Sequence, residues 1–386
     1  MDKKTFCLFE TITILPPNNR AFGIFYCPRP RNCRQRRAMS VANASKALNR
    51  SGRYLRKPAF YRKWVSDAEG AEFPAEAGRY HLYASLACPW ATRCLAVRAL
   101  KRLETTISVS IVHPTWQKTK PHDSEDAHIG WMFTKPSDKP VTPVCGQGSI
   151  PCTDTVPDTV NGAKFVRDLY DLVGASEKVT RSVPILWDKQ TNRIVNNESS
   201  EIIRMLNGPF ARLVGSDKDT VDLYPAHLRD EIDAVNEWVY RDINSGVYKA
   251  GFAKTQGAYE AGVDALFLAL DRVDEILSKR RYLAGSGQVT EADVRLFMTL
   301  IRFDSVYAVY FKCNARPLTS YPHIHHYFRE LYQLPWLQKT TNLDHITRHY
   351  YTSHPSFNTF GIIPRGPNVI DDLLKPHSKL FVSTRV

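Results

Sequence analysis

"RYHLYASLACPWATRCLAVRALKRLETTISVSIV" occupies residues 79–112 and changes its period twice. Residues 79–86 alternate polar and apolar side chains, the mark of a strand. Residues 89–103 carry apolar positions at helical spacing and open on Pro89, which suits a first helical turn. "TISVSIV" at 106–112 is a second, β-branched strand. Strand, helix and strand in so short a span define a βαβ unit, whose crossover is expected to be right-handed.

Cys88 stands where strand passes to helix, and Ala91 occupies the place where a dithiol motif would carry its second cysteine. Unpaired N–H groups and the dipole of a helix start favour a thiolate, so Cys88 is expected to be a nucleophile with a lowered pKa. Cys94 lies six residues on. Six helical steps turn a side chain through about 600°, leaving it about 240° around the axis from Cys88. Cys88 is therefore expected to act as a single thiol whose mixed disulfide an external thiol resolves, and glutathione is the external thiol this points to.

Working outward, a long polar stretch covers 114–162, interrupted by "GWMF" at 130–133. A helix is expected at 163–173. "SVPILWDKQTNRIVNN" (182–197) reads as a β-hairpin turning at Lys189–Asn192, and "ESSEIIRMLN" (198–207) as an amphipathic helix with an acidic start. Strand signals stop at about 222. Helices are expected at 226–244, 258–281, 290–308, 321–333 and 335–347, the third fixed by a capping box at Thr290–Asp293. The order is an α/β domain followed by an all-α domain. The expected boundaries are a basic extension at 1–66, the α/β domain at 67–210, the helical domain at 222–352 and an irregular tail at 353–386.

A glutathione site needs an extended segment that hydrogen-bonds the peptide and groups for both charges of its γ-glutamyl end. "VP" at 183–184 offers the first if that X–Pro bond is cis, although most are trans. "ES" at 198–199 offers the second: a carboxylate for the ammonium, and a hydroxyl with helix-start N–H groups for the carboxylate. Alone, the same dipeptide is an ordinary helix cap.

Composition limits the alternatives. The 386-residue chain has a net charge of +13, but residues 1–66 hold fifteen Lys and Arg against Asp2 and Glu10. The remainder balances 37 basic against 37 acidic residues, so the folded part has no net field to steer a polyanion. A nucleic-acid partner is not expected. The extension reads as an organellar transit peptide, a basic arm, or, for residues 1–38, sequence upstream of a start at Met39. The location is accordingly cytoplasmic, or mitochondrial or plastid if the leader is a transit peptide. No apolar run approaches a membrane span. The eight cysteines form no C-x-x-C pair and fit a reducing compartment. His323, His325 and His326 lack the partners of a metal site and read as structural, and "AGSGQ" (284–288) is too short for a phosphate loop.

The words "GRYHLYASLACPWATRCL", "GWMF", "VPILWDKQTNRIVNNESSEIIRMLN", "NSGVYKAGFA", "LIRFDSVYAVYFKCN" and "HYYTSHPSFNTFGIIPRGP" stand in order between about Arg50 and Pro367. Together they resemble the glutathionyl-hydroquinone reductases, the Xi-class glutathione transferases. The resemblance implies a thioredoxin-like glutathione-binding domain followed by an all-α bundle. It implies an oxidoreductase that uses glutathione as co-substrate, needs no metal and forms a homodimer. By the same resemblance Cys88 is the nucleophile, and Trp131, Val183, Glu198 and Ser199 bind glutathione. The basic residue often found three before Val183 is Thr180 here, so Arg181 or Lys178 takes the glycyl carboxylate. Thr92 stands where many members carry His or Ser, and the loop 134–162 is longer than usual. The leaving aryl carbon must take up a proton, for which Tyr240 and Tyr307 are the candidates, with Tyr350 a third wall of the aryl site. An omega-like thiol transferase or dehydroascorbate reductase would use the same cysteine, and a non-catalytic interaction module is the reading from another class.

Overall fold

The computed structural model describes residues 51–215, 221–285 and 287–377. The basic residues at 1–50, with Cys7, Cys27 and Cys33, lie outside them, as does the tail beyond 377.

The α/β part opens with β1 (Tyr80–Ala84), α1 (Pro89–Leu100) and β2 (Ser108–Ile111). Two short strands, β3 (Gln117–Lys118) and β4 (Ile129–Gly130), pair antiparallel in a separate ribbon. Then come α2 (Val166–Leu172), β5 (Ile185–Asp188), β6 (Arg193–Asn196), α3 (Ser199–Asn207) and α4 (Pro209–Leu213). The main sheet runs β2-β1-β5-β6, with β1 parallel to β2 and antiparallel to β5. The alternation in 79–86 reads as a strand, and every residue of β1 is buried. The polar member, His81, is accommodated because its two ring nitrogens meet Ser108 Oγ at 2.7 Å and Ser110 Oγ at 2.9 Å. Two hydroxyls on the neighbouring strand thus let a polar residue occupy a central strand at little cost. The hairpin turns where expected, with Asn192 in the left-handed region at φ 53°.

The helical part comprises α5 (Arg229–Trp238), α6 (Gly246–Gly251), α7 (Gln256–Lys279), α8 (Glu291–Arg302), α9 (Ala308–Tyr310), α10 (Pro322–Tyr332), α11 (Pro335–Gln338), α12 (Leu343–Thr352) and α13 (Ile370–Leu373). Two expected helices continue differently from a regular spiral. A π-helical turn at Val239–Asn244 follows α5, and another at Phe303–Tyr307 follows α8. The helix expected over 335–347 is two, because Asn342 Oδ1 accepts the His345 N–H at 2.8 Å and caps a new start. The Thr290–Asp293 box forms as expected, with Asp293 Oδ2 accepting from the Thr290 N–H at 2.7 Å.

Helix α1 packs on α3 within the α/β part and on α8 of the helical part, and the second contact joins the two parts. All twelve residues of α8 are buried, its last residue Arg302 included. The long loop 134–162 is held by the tail: Gly146 N–H donates to Thr359 O at 3.1 Å. Gly146 has φ +80°, and a Cβ there would lie 2.3 Å from Phe360 O, so only glycine permits this approach. His325 Nε2 meets Asp372 Oδ2 at 2.5 Å, which ties α13 to α10. No described helix is long and apolar enough to cross a membrane.

Candidate active site

Cys88 is the N-cap residue of α1, with φ −79° and ψ 119°. Its carbonyl accepts from the Thr92 N–H at 2.9 Å and from Thr92 Oγ1 at 2.8 Å, which fixes the first turn. Among the five described cysteines it alone retains exposure, and all five are free thiols. Cys94 is buried, its Sγ turned to the carbonyls of Trp90 at 3.6 Å and Ser199 at 3.8 Å. Burial pushes the Cys94 thiol far above its ordinary range. The helix-start argument for Cys88 meets an opposing effect. Enclosure of the sulfur pushes its pKa up, and this outweighs the N–H groups of Ala91 and Trp90 and the charges of Arg56 and Arg302. The neutral thiol donates to Val183 O at 3.7 Å.

Val183 lies in the segment expected to bind a peptide, and its bond to Pro184 is cis. Glu198 caps α3, its Oε1 accepting from Ser200 N at 3.0 Å and Ser200 Oγ at 2.9 Å. The buried Arg93 of α1 donates through Nε to Ser199 Oγ at 3.0 Å, and its Nη2 lies 3.7 Å from Glu198 Oε1. Burial raises the Glu198 carboxyl, but Arg93 and the Ser200 donors overcome it and hold its pKa below the usual value. The cap reading and the ligand reading of "ES" are thus compatible. One carboxylate oxygen serves the helix, and the charge stays ionised beside Arg93. Trp131 is stacked on His349 of α12, ring centroids 4.3 Å apart at 25°. His349 is fixed in turn by Nδ1 at 2.9 Å from Pro114 O. Arg181 is engaged by Asp171 Oδ1 at 3.2 Å and Glu177 Oε1 at 3.4 Å, while Lys178 is exposed.

The three tyrosines of the sequence reading do not form one group. Tyr307 and Tyr350 do meet, their hydroxyls 3.1 Å apart. Their third member is Tyr248 of α6, whose hydroxyl is 2.7 Å from that of Tyr350 and 3.4 Å from that of Tyr307. Tyr248 is stacked on Trp90, two residues after Cys88, at 6.3 Å and 29°. Tyr240 also touches Trp90, ring centroids 5.9 Å apart and tilted at 60°, and is 39% exposed. The π-helical turn Val239–Asn244 contains Tyr240 and shifts the helical register before Tyr248, so spacing along a regular helix could not separate their roles. Gly251 supplies the one sequence hint. A Cβ there would lie 2.2 Å from the Phe311 ring, which packs beside Tyr248 at 5.5 Å.

Sequence reasoning also passed over Arg302. Fully buried at the end of α8, it donates to Ala87 O at 3.0 Å, Leu86 O at 3.3 Å and Thr92 Oγ1 at 3.0 Å. A cation from the helical part thereby holds the turn that carries Cys88. Burial raises the pKa of all three clustered phenols, Tyr248 and Tyr350 most, so each is a protonated donor at neutral pH.

A thioredoxin-like sheet with a helix-start thiol, a cis Val–Pro segment and an acidic-serine cap, followed by a helical domain, is the architecture of a glutathione transferase. The glutathione S-transferase N-terminal and C-terminal domain models match residues 87–208 and 256–330. The chain is 44% identical to the glutathionyl-hydroquinone reductase PcpF of Sphingobium chlorophenolicum, over 82% of this chain and 90% of that one. The solved glutathione transferase Xi of Phanerochaete chrysosporium superposes with a TM-score of 0.73 at 44% identity, covering 85% of this chain and 96% of that one. Glutathione-bound YqjG of Escherichia coli superposes with a TM-score of 0.71 at 40% identity, covering 82% and 95%. The chain belongs to the glutathione transferases, and within them to the Xi-class family of glutathionyl-hydroquinone reductases.

Proposed function

We propose that the protein reduces glutathionyl-hydroquinones to hydroquinones with glutathione as co-substrate. The observation that carries this reading is the convergence of the Tyr248, Tyr307 and Tyr350 hydroxyls, with Tyr248 and Tyr307 close enough to interact electrostatically with Cys88, the one described cysteine residue that is not fully buried. Such a cluster places proton donors at an aromatic-walled site, which a reaction releasing an aryl carbon requires.

In the first half-reaction the Cys88 sulfur attacks the glutathionyl sulfur. An S–S bond forms, the aryl C–S bond breaks, and its electron pair remains on the ring carbon. Tyr248 protonates that carbon through its link to Tyr350 and Tyr307. The thiol loses one proton and the ring gains one, so the step is proton-neutral overall, which suits a thiol that rests protonated. The two sulfurs are oxidised and the ring carbon is reduced. In the second half-reaction a glutathione thiolate attacks the glutathionyl sulfur of the mixed disulfide, releasing oxidised glutathione and Cys88. Glu198 and Ser199 take the γ-glutamyl end, Val183 the peptide backbone, and Trp131 lines the site. Arg181, already shared by two carboxylates, is the candidate for the glycyl end, and Tyr240 walls the aryl site. The protein works as a homodimer, for which light scattering would return twice the 44.0 kDa chain mass.

The test is accumulation of a mixed disulfide. Limiting glutathionyl-menadiol, without free glutathione, is expected to leave a glutathione adduct on Cys88 that added glutathione removes. Menadiol release with no adduct on Cys88 would reject this route. Efficient dehydroascorbate turnover without menadiol release would favour the omega-like chemistry.

A further inference from the structure

Residues 51–66 belong to the basic extension but run across the described fold. At one end Lys254 N–H donates to Gly52 O at 3.1 Å, and Tyr54 packs on Phe252 at 5.3 Å, both contacts in the helical part. At the other end the chain joins the sheet edge. Lys63 N–H donates to Val195 O at 3.1 Å, Asn197 N–H to Tyr61 O at 3.0 Å, and Tyr61 N–H to Asn197 Oδ1 at 3.0 Å. Between these anchors the segment is a strap over the start of α1. Arg56 lies on it with its guanidinium 3.8 Å from the centre of the Trp90 ring, a cation–π contact two residues from Cys88. Its charge acts on Cys88, on the Glu198 carboxylate and on Tyr54. The phenols around the thiol are neutral, and Arg302 spends its donors on carbonyl and hydroxyl oxygens. Arg56 is an exposed cation at the Cys88 end of the site.

We propose that Arg56 is a specificity-determining residue: the strap holds its positive charge at the Cys88 mouth, where it favours anionic reaction partners over neutral ones of the same size. The inference extends the proposed function, because glutathione and its conjugates carry net negative charge, but its test needs no hydroquinone.

Iodoacetate and iodoacetamide differ by one negative charge, and both react only with the thiolate. The ratio of their rates at Cys88 therefore cancels the thiolate fraction and reads the local potential. Alkylation would be followed on the full chain through the tryptic peptide Tyr80–Arg93, in which Cys88 is the sole cysteine. Arg56→Gln is expected to lower the iodoacetate-to-iodoacetamide ratio about threefold to tenfold at low salt, the range for one charge at a partly wet site. Arg56→Lys, and Lys57→Gln on the same strap, are expected to stay within about twofold of wild type. Salt at 1 M should bring wild type towards Arg56→Gln, since the Debye length falls to about 3 Å. An unchanged ratio in Arg56→Gln would overturn the proposal, and so would an equal drop in Lys57→Gln, which would assign the field to the strap's general charge. If menadiol release failed while the ratio responded, the reaction assignment would fall and the charge assignment would stand. The reverse pair of results would remove only Arg56.

Discussion

At the scale of single residues, chemistry and position part company. Cys88 was legible because its place, between a strand and a proline-started helix, is a local property of sequence. Tyr248 was not, because its significance comes from Trp90, Tyr307 and Tyr350, which reach it from three other elements. The direction of the Cys88 shift was also beyond the sequence, since enclosure of the sulfur depends on how the two parts of the molecule close around it. The tyrosine roles separate experimentally. Tyr248→Phe keeps the ring stacked on Trp90 and removes only the hydroxyl, so kcat for menadiol release is expected to fall about 100-fold with KM nearly unchanged. Tyr240→Phe should cost less than about tenfold. Equal losses in the two variants would return Tyr240 to the proton-donor role.

At the scale of elements, the four strands of the main sheet, its hairpin and the capped start of α8 were readable from period and caps, which are short-range, whereas the β3–β4 ribbon inside the polar stretch was not. The π-helical turns and the break before α12 were not, because each answers to tertiary contacts that a regular pattern does not encode. Arg302 shows how one element positions another. Its guanidinium links α8 to the Leu86–Ala87 carbonyls, and Thr92 orders the same turn from within α1. Arg302→Met would fill similar space but strand those acceptors, at about 1–3 kcal/mol for buried groups left unpaired. A lowered urea midpoint with unchanged slope is expected, together with altered Cys88 alkylation. If stability fell while Cys88 alkylation matched wild type, Arg302 would be a stabilising residue with no hold on the thiol.

For the whole molecule, the division into a sheet domain and a helical domain followed from where strand signals stop. What the sequence left open is how deeply polar groups are buried. His81 and His354 are buried, and burial lowers the pKa of each to about 4. The unfolded chain takes up these protons near pH 6.5, before the folded protein can. Stability from each neutral imidazole is therefore complete above about pH 6.5 and is lost as pH falls towards 4, by up to about 3 kcal/mol per histidine. The urea midpoint should decline steadily across that window, and His81→Gln should flatten part of the decline. A midpoint independent of pH between 7 and 4.5 would show that these histidines titrate normally in the folded state.

The central claim is that Cys88 carries a glutathione-dependent reduction. It is tested most directly by the steady-state rate of menadiol release from glutathionyl-menadiol in the presence of glutathione, for wild type beside Cys88→Ala. The account predicts turnover in wild type and at least about a 1,000-fold loss in Cys88→Ala, since no other described thiol is exposed. Release sustained by Cys88→Ala would contradict it.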